Sequence, residues 1–407
     1  MLATLLAILT LLKKMLRTLP GKIIRHVPMP EPNIINGMGS RSQVGRLCRG
    51  SDFGSVLLVT DKTISSLGFQ DAIVQSLEKE GVKYAVFNEI DSEPTMQIID
   101  AGRRAAVACE AQCIVALGGG SVMDSAKMMA AGMALKRIPT KLLGVKFLFV
   151  PGQTLPMINI PTTAGTGAET TVGAIVTNPR RGSKKATVIV GLDVQHVVLD
   201  SELTLHAPAA VTAACGIDAL SHGLEGLLAD IRNDDDDIYK SRECVRLVMH
   251  NLPILLEHPD DVEARQAMCQ AAYYGGNAIN KQLAGYVHAF AHAIGAKFHI
   301  PHGQAIALSL IPVCSYQLFY CSAKLAALAR YCGVAQDEQD EIQAAKRLLN
   351  EIEQLIKRCN IPPIRKTLSR HEVEKLALKV ERDAINYSQP VTFNSKEIKH
   401  IIRIICE

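Results

Sequence analysis

Between residues 55 and 200 the chain alternates short apolar runs with amphipathic stretches of helical period, and this restricts the fold more than any other feature. SVLLVTDKT (55–63) reads as a buried strand ending at Asp61, and FQDAIVQSLEKEG (69–81) as an amphipathic helix closed by Gly81. KYAVFNEI (83–90) is a second strand and MQIIDAGRRAAVACE (96–110) a second helix. CIVALGGGS (113–121) runs a third strand into glycines, and VMDSAKMMAAGMAL (122–135) is the helix after it. PMINIPTTAGTGAETT (156–171) is a fourth strand with a turn-rich loop, and ATVIVG (186–191) and HVVLD (196–200) are further strands. Strands that are apolar throughout, each followed by a helix, imply a parallel sheet covered on both faces.

From about residue 208 the strand patterns fade. Helical periodicity continues through SRECVRLVMHNLPILLEH, VEARQAMCQAAYYGGNAI and SAKLAALARYCG to the C-terminus. The expected organisation is therefore α/β plus all-α. An apolar and basic extension covers 1–28, a Rossmann-like α/β domain covers 29–207, and an all-helical domain covers 208–407, with the boundary near 205–210. The run Asp234–Asp237 is expected to be a solvated loop between helices.

Composition excludes several classes. A formal net charge of +4 on 407 residues is far from the basic density of a nucleic-acid binder, and with no Trp there is little to stack bases on. Eleven cysteines without a C-x-x-C pair suggest free thiols in a reducing, cytoplasmic compartment, most of them acting as small buried hydrophobes. The first residues, MLATLLAILTLLKKMLRTLPGK, carry an apolar run at 2–12 followed by Lys13, Lys14 and Arg17. That run is too short to span a bilayer, and its charges follow the apolar stretch where a signal peptide carries them before it. Two readings stand: a helical appendage packed on its own protein, or a helix at residues 1–20 laid on an anionic membrane surface.

Two loops carry the first chemical signal. ALGGGSVMDSAK places Gly119, Gly120 and Ser121 between a strand and a helix, where backbone N–H groups can hold an anion and glycine lets a phosphate approach. Alone, the same residues would also make a plain tight turn. IPTTAGTGAET adds Thr162, Thr163, Thr166 and Thr170 after the next apolar strand. Two such loops at carboxyl ends of neighbouring strands form the crevice in which open α/β sheets bind ligands. Asp61, at the end of the first strand, suits a ribose diol and disfavours a 2′-phosphate, so NAD is expected before NADP; an ordinary helix-capping aspartate would look the same.

The second signal lies in the helical half. GIDALSH puts Asp218 and His222 four apart, on one face of a helix. GYVHAFAHAIGAKFHIPHG then holds His288, His292, His299 and His302. Two i, i+4 pairs of ligand-type side chains suit a divalent ion of borderline character, zinc or ferrous iron. Spacing leaves two rivals open for the later ligands: His288 with His292, or His288 with His302. No H-E-x-x-H occurs, since Ala289 follows His288, which speaks against a zinc protease.

GGGSVMDSAK, IPTTAGTGAET, GIDALSHGLEG and GYVHAFAHAIGAKFHIPHG, in this order, resemble the motifs of the iron-containing (group III) alcohol dehydrogenases. The resemblance runs from about residue 29 to the C-terminus. It implies a dinucleotide-binding domain of the dehydroquinate-synthase-like type, a helical domain, and an active site in the cleft between them. It implies that Asp218, His222, His288 and His302 hold Fe2+, or Zn2+ in its place, and that His292 lies beside the metal as a candidate proton relay. Gly119, Gly120, Ser121 and Asp124 correspond to the pyrophosphate segment, and Thr162, Thr163 and Thr166 to a second cofactor loop. Asp61 matches the position associated with NAD preference. A divalent ion on three neutral histidines and one carboxylate leaves a net charge of about +1, which favours an alkoxide over its alcohol.

The activity implied is NAD-linked interconversion of an alcohol and an aldehyde or ketone, in a homo-oligomer. A sugar or polyol dehydrogenase is the neighbouring reading, and a non-redox metal hydrolase a remote one. The chain departs from the family pattern at three places. Glu93-Pro94-Thr95 replaces an N-P-T segment, IPVCSY (311–316) replaces an L-P-H segment, and residues 1–28 match nothing in the family.

Overall fold

The computed structural model describes residues 29, 32–90, 94–135, 147–150, 152–178, 183–229, 234–336, 340–385, 387 and 390–407. The extension at 1–28, with its membrane-surface reading, and Glu93 lie outside these residues. Contacts divide the chain into two compact units. One takes the described residues up to Ala207 together with Asp260–Gly276; the other takes Pro208–Pro259 and Asn277–Glu407.

The first unit is built on strands β1 (Asn33–Asn36), β2 (Ser55–Asp61), β3 (Lys83–Ile90), β4 (Cys113–Gly118), β5 (Phe147–Phe149), β6 (Met157–Pro161), β7 (Gly173–Asn178), β8 (Ser183–Val190) and β9 (Val194–Leu199). Its helices are α1 (Val44–Gly50), α2 (Lys62–Ser66), α3 (Asp71–Lys79), α4 (Met96–Ala108) and α5 (Gly120–Ala134). Six strands form one sheet in the order β1-β9-β6-β4-β2-β3, and every pairing in it is parallel.

Alternation of side chains explains why these strands are apolar throughout. On β2, Leu57 and Val59 enter one buried cluster while Val56 and Leu58 enter another. On β4, Ile114 and Ala116 join the first cluster; Cys113, Val115 and Leu117 join the second. A period of two therefore feeds two cores, one on each face. Truncating any of these leucines to alanine would cost about 2–5 kcal/mol.

The chain reverses its direction across the sheet between β2 and β4. That switch point is where parallel sheets open a ligand crevice, beside the carboxyl ends that carry Asp61 and Gly118. β7 and β8 do not extend this sheet. They pair antiparallel, and β5 joins β8 to complete a second, three-stranded sheet. The apolar run at 186–191 thus belongs to the ribbon, a distinction that apolar content cannot make.

The second unit contains α6 (Ala209–Leu228), α7 (Asp235–Glu257), α9 (Tyr286–Phe298), α10 (His302–Gln317), α11 (Ser322–Tyr331), α12 (Glu341–Arg358), α13 (Arg370–Ala384) and α14 (Ser395–Cys406). α8 (Val262–Gln282) belongs to the first unit up to Gly276. Its Cys269 and Tyr273 are buried in the cluster on one face of the sheet, and Gln266 Nε2 donates to Leu199 O at 2.8 Å. Helical period alone gave no sign of that placement.

Asp234–Asp237 is not a solvated loop. Asp234 caps α7 by accepting from Asp237 N at 2.8 Å, and the next three aspartates form the first turn. Carboxylates are stabilised there by the unpaired N–H groups and the helix dipole. Asp237 is buried and paired with Lys281 Nζ at 2.7 Å.

All eleven cysteines are free, and eight of them are buried. IPVCSY lies inside α10, with Val313 and Cys314 in the core. Among the described residues no helix is long and apolar enough to cross a membrane.

Candidate metal centre and nucleotide loops

α6 is buried from Gly216 to its end, so the polar side chains there must find internal partners. Asp218, His222 and Glu225 sit at i, i+4 and i+7, on one stripe of the helix. α9 brings His288 to the same place. α9 ends at His299, which adopts a left-handed φ of 54° and is exposed. That turn starts α10, whose first residue is His302. Gly303 follows because a Cβ there would stand 2.6 Å from Ala214 O of α6. Glycine at this point lets the α10 terminus approach α6 and carries His302 to Asp218.

Four side chains converge. Asp218 Oδ1 lies 3.6 Å from His222 Nε2, 3.7 Å from His288 Nε2 and 3.5 Å from His302 Nε2. His222 Nε2 and His288 Nε2 are 3.0 Å apart with their rings stacked. Asp218 Oδ1 is a buried oxygen with no hydrogen-bond partner. An orphaned carboxylate oxygen facing three imidazole nitrogens is a donor set that fits a divalent cation. Asp218, His288 and His302 by themselves have ligand atoms within 4.8 Å of one another.

Charge follows the same geometry. Burial pushes the Asp218 carboxyl up, but His222, His302 and His288 outweigh it and hold the group well below the usual carboxylate range. Burial and the neighbouring histidines bring His222 down to about 4 against the pull of Asp218, so its imidazole is neutral, as a ligand must be.

Glu225 orders this cluster, and no ligand spacing singled it out. Its Oε2 lies 2.5 Å from His288 Nδ1, and its Oε1 accepts from Val287 N at 2.7 Å. One carboxylate thereby caps the start of α9 and fixes the His288 ring with Nε2 turned to the cluster. Gly285 makes the approach, since a Cβ there would lie 2.5 Å from Glu225 Oε1. Burial draws His288 down, yet the charge and hydrogen bond of Glu225 lift it above its ordinary value. Glu225→Gln is expected to weaken metal retention about 10- to 100-fold, measured by competition with a chromogenic chelator.

His292 stands one turn along α9. Its ring stacks on His302 at 5.2 Å between centroids and meets His288 edge-on at 6.0 Å. Burial above all, then His302, His288 and Lys379, holds His292 well below the usual histidine range.

In the sheet unit the two glycine loops are neighbours. A Cβ on Gly119 would lie 3.6 Å from Thr163 Oγ1, and one on Gly120 would lie 3.4 Å from Thr166 Cγ2. Thr162 N donates to Gly118 O at 3.1 Å, which ties the second loop to β4. α5 begins at Gly120, two residues earlier than its apolar period suggests. Its N-cap, Gly119, makes no side-chain cap bond, and the first turn holds no acidic residue. This is a cradle that side chains would fill, with an uncapped helix start, and it fits a pyrophosphate.

Asp61 caps α2, accepting from Ile64 N at 2.8 Å, so one of its oxygens is committed. Both oxygens of Asp124 are engaged: Oδ2 accepts from Ile175 N at 2.8 Å, Oδ1 from Lys127 Nζ at 3.2 Å. Asp124 thus ties α5 to β7. Lys127, wholly buried, also donates to Thr171 Oγ1 and Gly173 O.

Glu169, in the second loop, is buried with Oε1 unpartnered. Burial raises it to about 7 from 4.5, against its own backbone amide and Lys127. A folded-state value above the unfolded one means the folded chain binds more protons between those limits. Stability therefore falls as pH rises through that window. Glu169→Gln is expected to gain stability over the parent by up to about 3 kcal/mol at pH 8 and by little at pH 5, as read by urea denaturation at the two pH values.

Comparison with known proteins decides the family. The model described as "Iron-containing alcohol dehydrogenase" matches residues 31–200, and "Fe-containing alcohol dehydrogenase family, C-terminal" matches 212–406. A 1,3-propanediol dehydrogenase of Citrobacter freundii is 30% identical, over 91% of this chain and 97% of its own length. The chain belongs to the iron-containing alcohol dehydrogenase family. An NAD-dependent methanol dehydrogenase of Bacillus methanolicus is 27% identical over 91% of this chain and 97% of its own. Among solved structures, an alcohol dehydrogenase from Oenococcus oeni superposes with a TM-score of 0.85 at 27% identity, covering 93% of this chain and 99% of that one. The parallel sheet and the helical C-terminal region are those of this family, and membership makes the chain an oxidoreductase of the alcohol dehydrogenase type.

Proposed function

We propose that this enzyme interconverts a small primary alcohol or diol and its aldehyde by hydride transfer to NAD, at a divalent metal held by Asp218, His222, His288 and His302. The observation that carries the reading is the buried, partnerless Asp218 Oδ1 facing three imidazole nitrogens. Relatives named as an NAD-dependent methanol dehydrogenase and a 1,3-propanediol dehydrogenase support the substrate class.

Fe2+ or Zn2+ bound there would act as a Lewis acid, lowering the pKa of the substrate hydroxyl. The chain's own residues do the rest. Glu225 keeps His288 in the tautomer whose Nε2 lone pair faces the cluster. The Asp218 carboxylate stays ionised and offsets part of the cation's charge. Gly119, Gly120, Ser121, Thr162, Thr163 and Thr166 hold the pyrophosphate of NAD, and Asp61 the ribose through the oxygen that does not cap α2. His292 stands beside the substrate oxygen as its hydrogen-bond partner, and the alcohol proton leaves through ordered water. The free thiols accord with a reducing, cytoplasmic setting.

The test is a panel of primary alcohols, diols and polyols with NAD and NADP, on protein stripped of metal and reloaded with ferrous iron or zinc. NADH formation with short alcohols or diols, dependent on the metal, is the expected result. Turnover confined to sugars or larger polyols would move the assignment to that branch, and no reduction of either nucleotide with any metal would refute the dehydrogenase reading.

A further inference from the structure

The sharpest feature outside the ligand cluster is Tyr387. It lies beyond α13, 95 positions along the chain from His292, and its hydroxyl is 3.1 Å from His292 Nδ1. The two rings meet at an angle of 54° with centroids 6.3 Å apart. On the other side His292 stacks on His302, and its backbone oxygen accepts from Lys379 Nζ of α13 at 3.1 Å. The imidazole is thus fixed in place, with one ring nitrogen already committed.

We propose that Tyr387 is a positioning residue: its hydroxyl donates to His292 Nδ1 and holds the ring as the Nε2–H tautomer. The inference rests on the proposed function, in which His292 stands beside the substrate oxygen. Two observations set the direction of the hydrogen bond. His292 Nδ1 is the hydroxyl's hydrogen-bond partner among the described residues, so the phenolic hydrogen has this nitrogen to go to. Burial, with the negative charges of Asp383 and Glu225, raises Tyr387 well above the usual tyrosine range, so the group remains an O–H. A neutral phenol is a donor to imidazole nitrogen. With Nδ1 occupied, the Nε2–H is left to donate a hydrogen bond to a substrate oxygen.

This differs from the arrangement at His288. There a carboxylate, Glu225, takes the Nδ1 hydrogen and leaves Nε2 as a lone pair. At His292 a hydroxyl donates a hydrogen bond to Nδ1 and leaves Nε2–H as a donor. Two histidines one turn apart are set in opposite tautomers by opposite partners, one to bind a cation and one to donate to a substrate oxygen.

The test compares the zinc-loaded full chain and its Tyr387→Phe variant, each labelled with 15N-histidine. Long-range 1H–15N spectra read the tautomer without any turnover, and kcat and KM are measured on the same samples. In the parent the His292 signals are expected as Nε2–H. In the variant they should move toward the Nδ1–H form, with kcat falling about 10- to 100-fold while KM and bound zinc hold. An unchanged tautomer in the variant, or Nδ1–H already in the parent, would overturn the proposal. So would loss of zinc or of thermal stability together with kcat, since that is a structural role. If the parent shows the tautomer pattern but oxidises no alcohol, Tyr387 stands and the dehydrogenase assignment falls.

Discussion

Asp218→Ala is expected to lower kcat/KM for alcohol oxidation by about 1,000-fold or more, with bound metal lost from the isolated protein. The size follows from the Lewis-acid contribution of several kcal/mol, where about 1.4 kcal/mol is a factor of ten. Asp218 is the residue to remove because its carboxylate is the one anionic ligand in the proposed set, and its Oδ1 lies within 3.7 Å of three histidine nitrogens. Replacing it leaves a cation on neutral donors alone. Elemental analysis and NADH formation on the same preparation check the prediction. A variant that keeps both metal and activity would remove Asp218 from the site.

Metal removal should also destabilise the helical unit. The ligands come from α6, α9 and α10, so a bound ion joins three helices whose ligand atoms meet in the folded chain. At a thousand times Kd a ligand specific to the folded state adds about 4 kcal/mol. For a unit of this size that corresponds to roughly 10 °C in Tm. Differential scanning calorimetry of stripped and reloaded protein reads the shift directly. Equal melting in both forms would mean that the cluster is held by its own hydrogen bonds and gains nothing from a cation.

Much of the fold could be read from the sequence because the parallel strands carry their burial in their composition. β2 and β4 are buried on both faces, and the sequence shows it as runs such as VLLV and CIVAL. The antiparallel ribbon of β7 and β8 could not be recognised, since its pairing depends on where the chain turns back. Residues 260–276 were equally opaque: their helical period is indistinguishable from that of α7, and only packing assigns Cys269 and Tyr273 to the sheet.

The site divides in the same manner. Asp218 and His222 are close in sequence and lie on one helix face, so spacing exposed them. His288 and His302 stood out by density, yet spacing did not choose between His292 and His302. The fold brings His302 to 3.5 Å from Asp218 and stacks His292 on it. Glu225 was visible only as the last acidic residue of GIDALSHGLEG, and its role appears once α9 folds over it. Tyr387 offered no signal at all, because a single tyrosine in a polar stretch has no period and no motif. Asp124 went the other way. A residue that the motif placed at the pyrophosphate spends both oxygens on Lys127 and Ile175.

Deuteride transfer reads the proposed reaction at its reacting carbon. The metal-loaded enzyme would be given 1,3-propanediol deuterated at its carbinol carbons, together with NAD, and the recovered reduced nucleotide analysed by mass and by 1H NMR at C4. One deuterium at C4, on a single face, is the expected result, with the label absent in Asp218→Ala. Reduced nucleotide without deuterium, or diol oxidation with no nucleotide reduced, would contradict direct hydride transfer at this site.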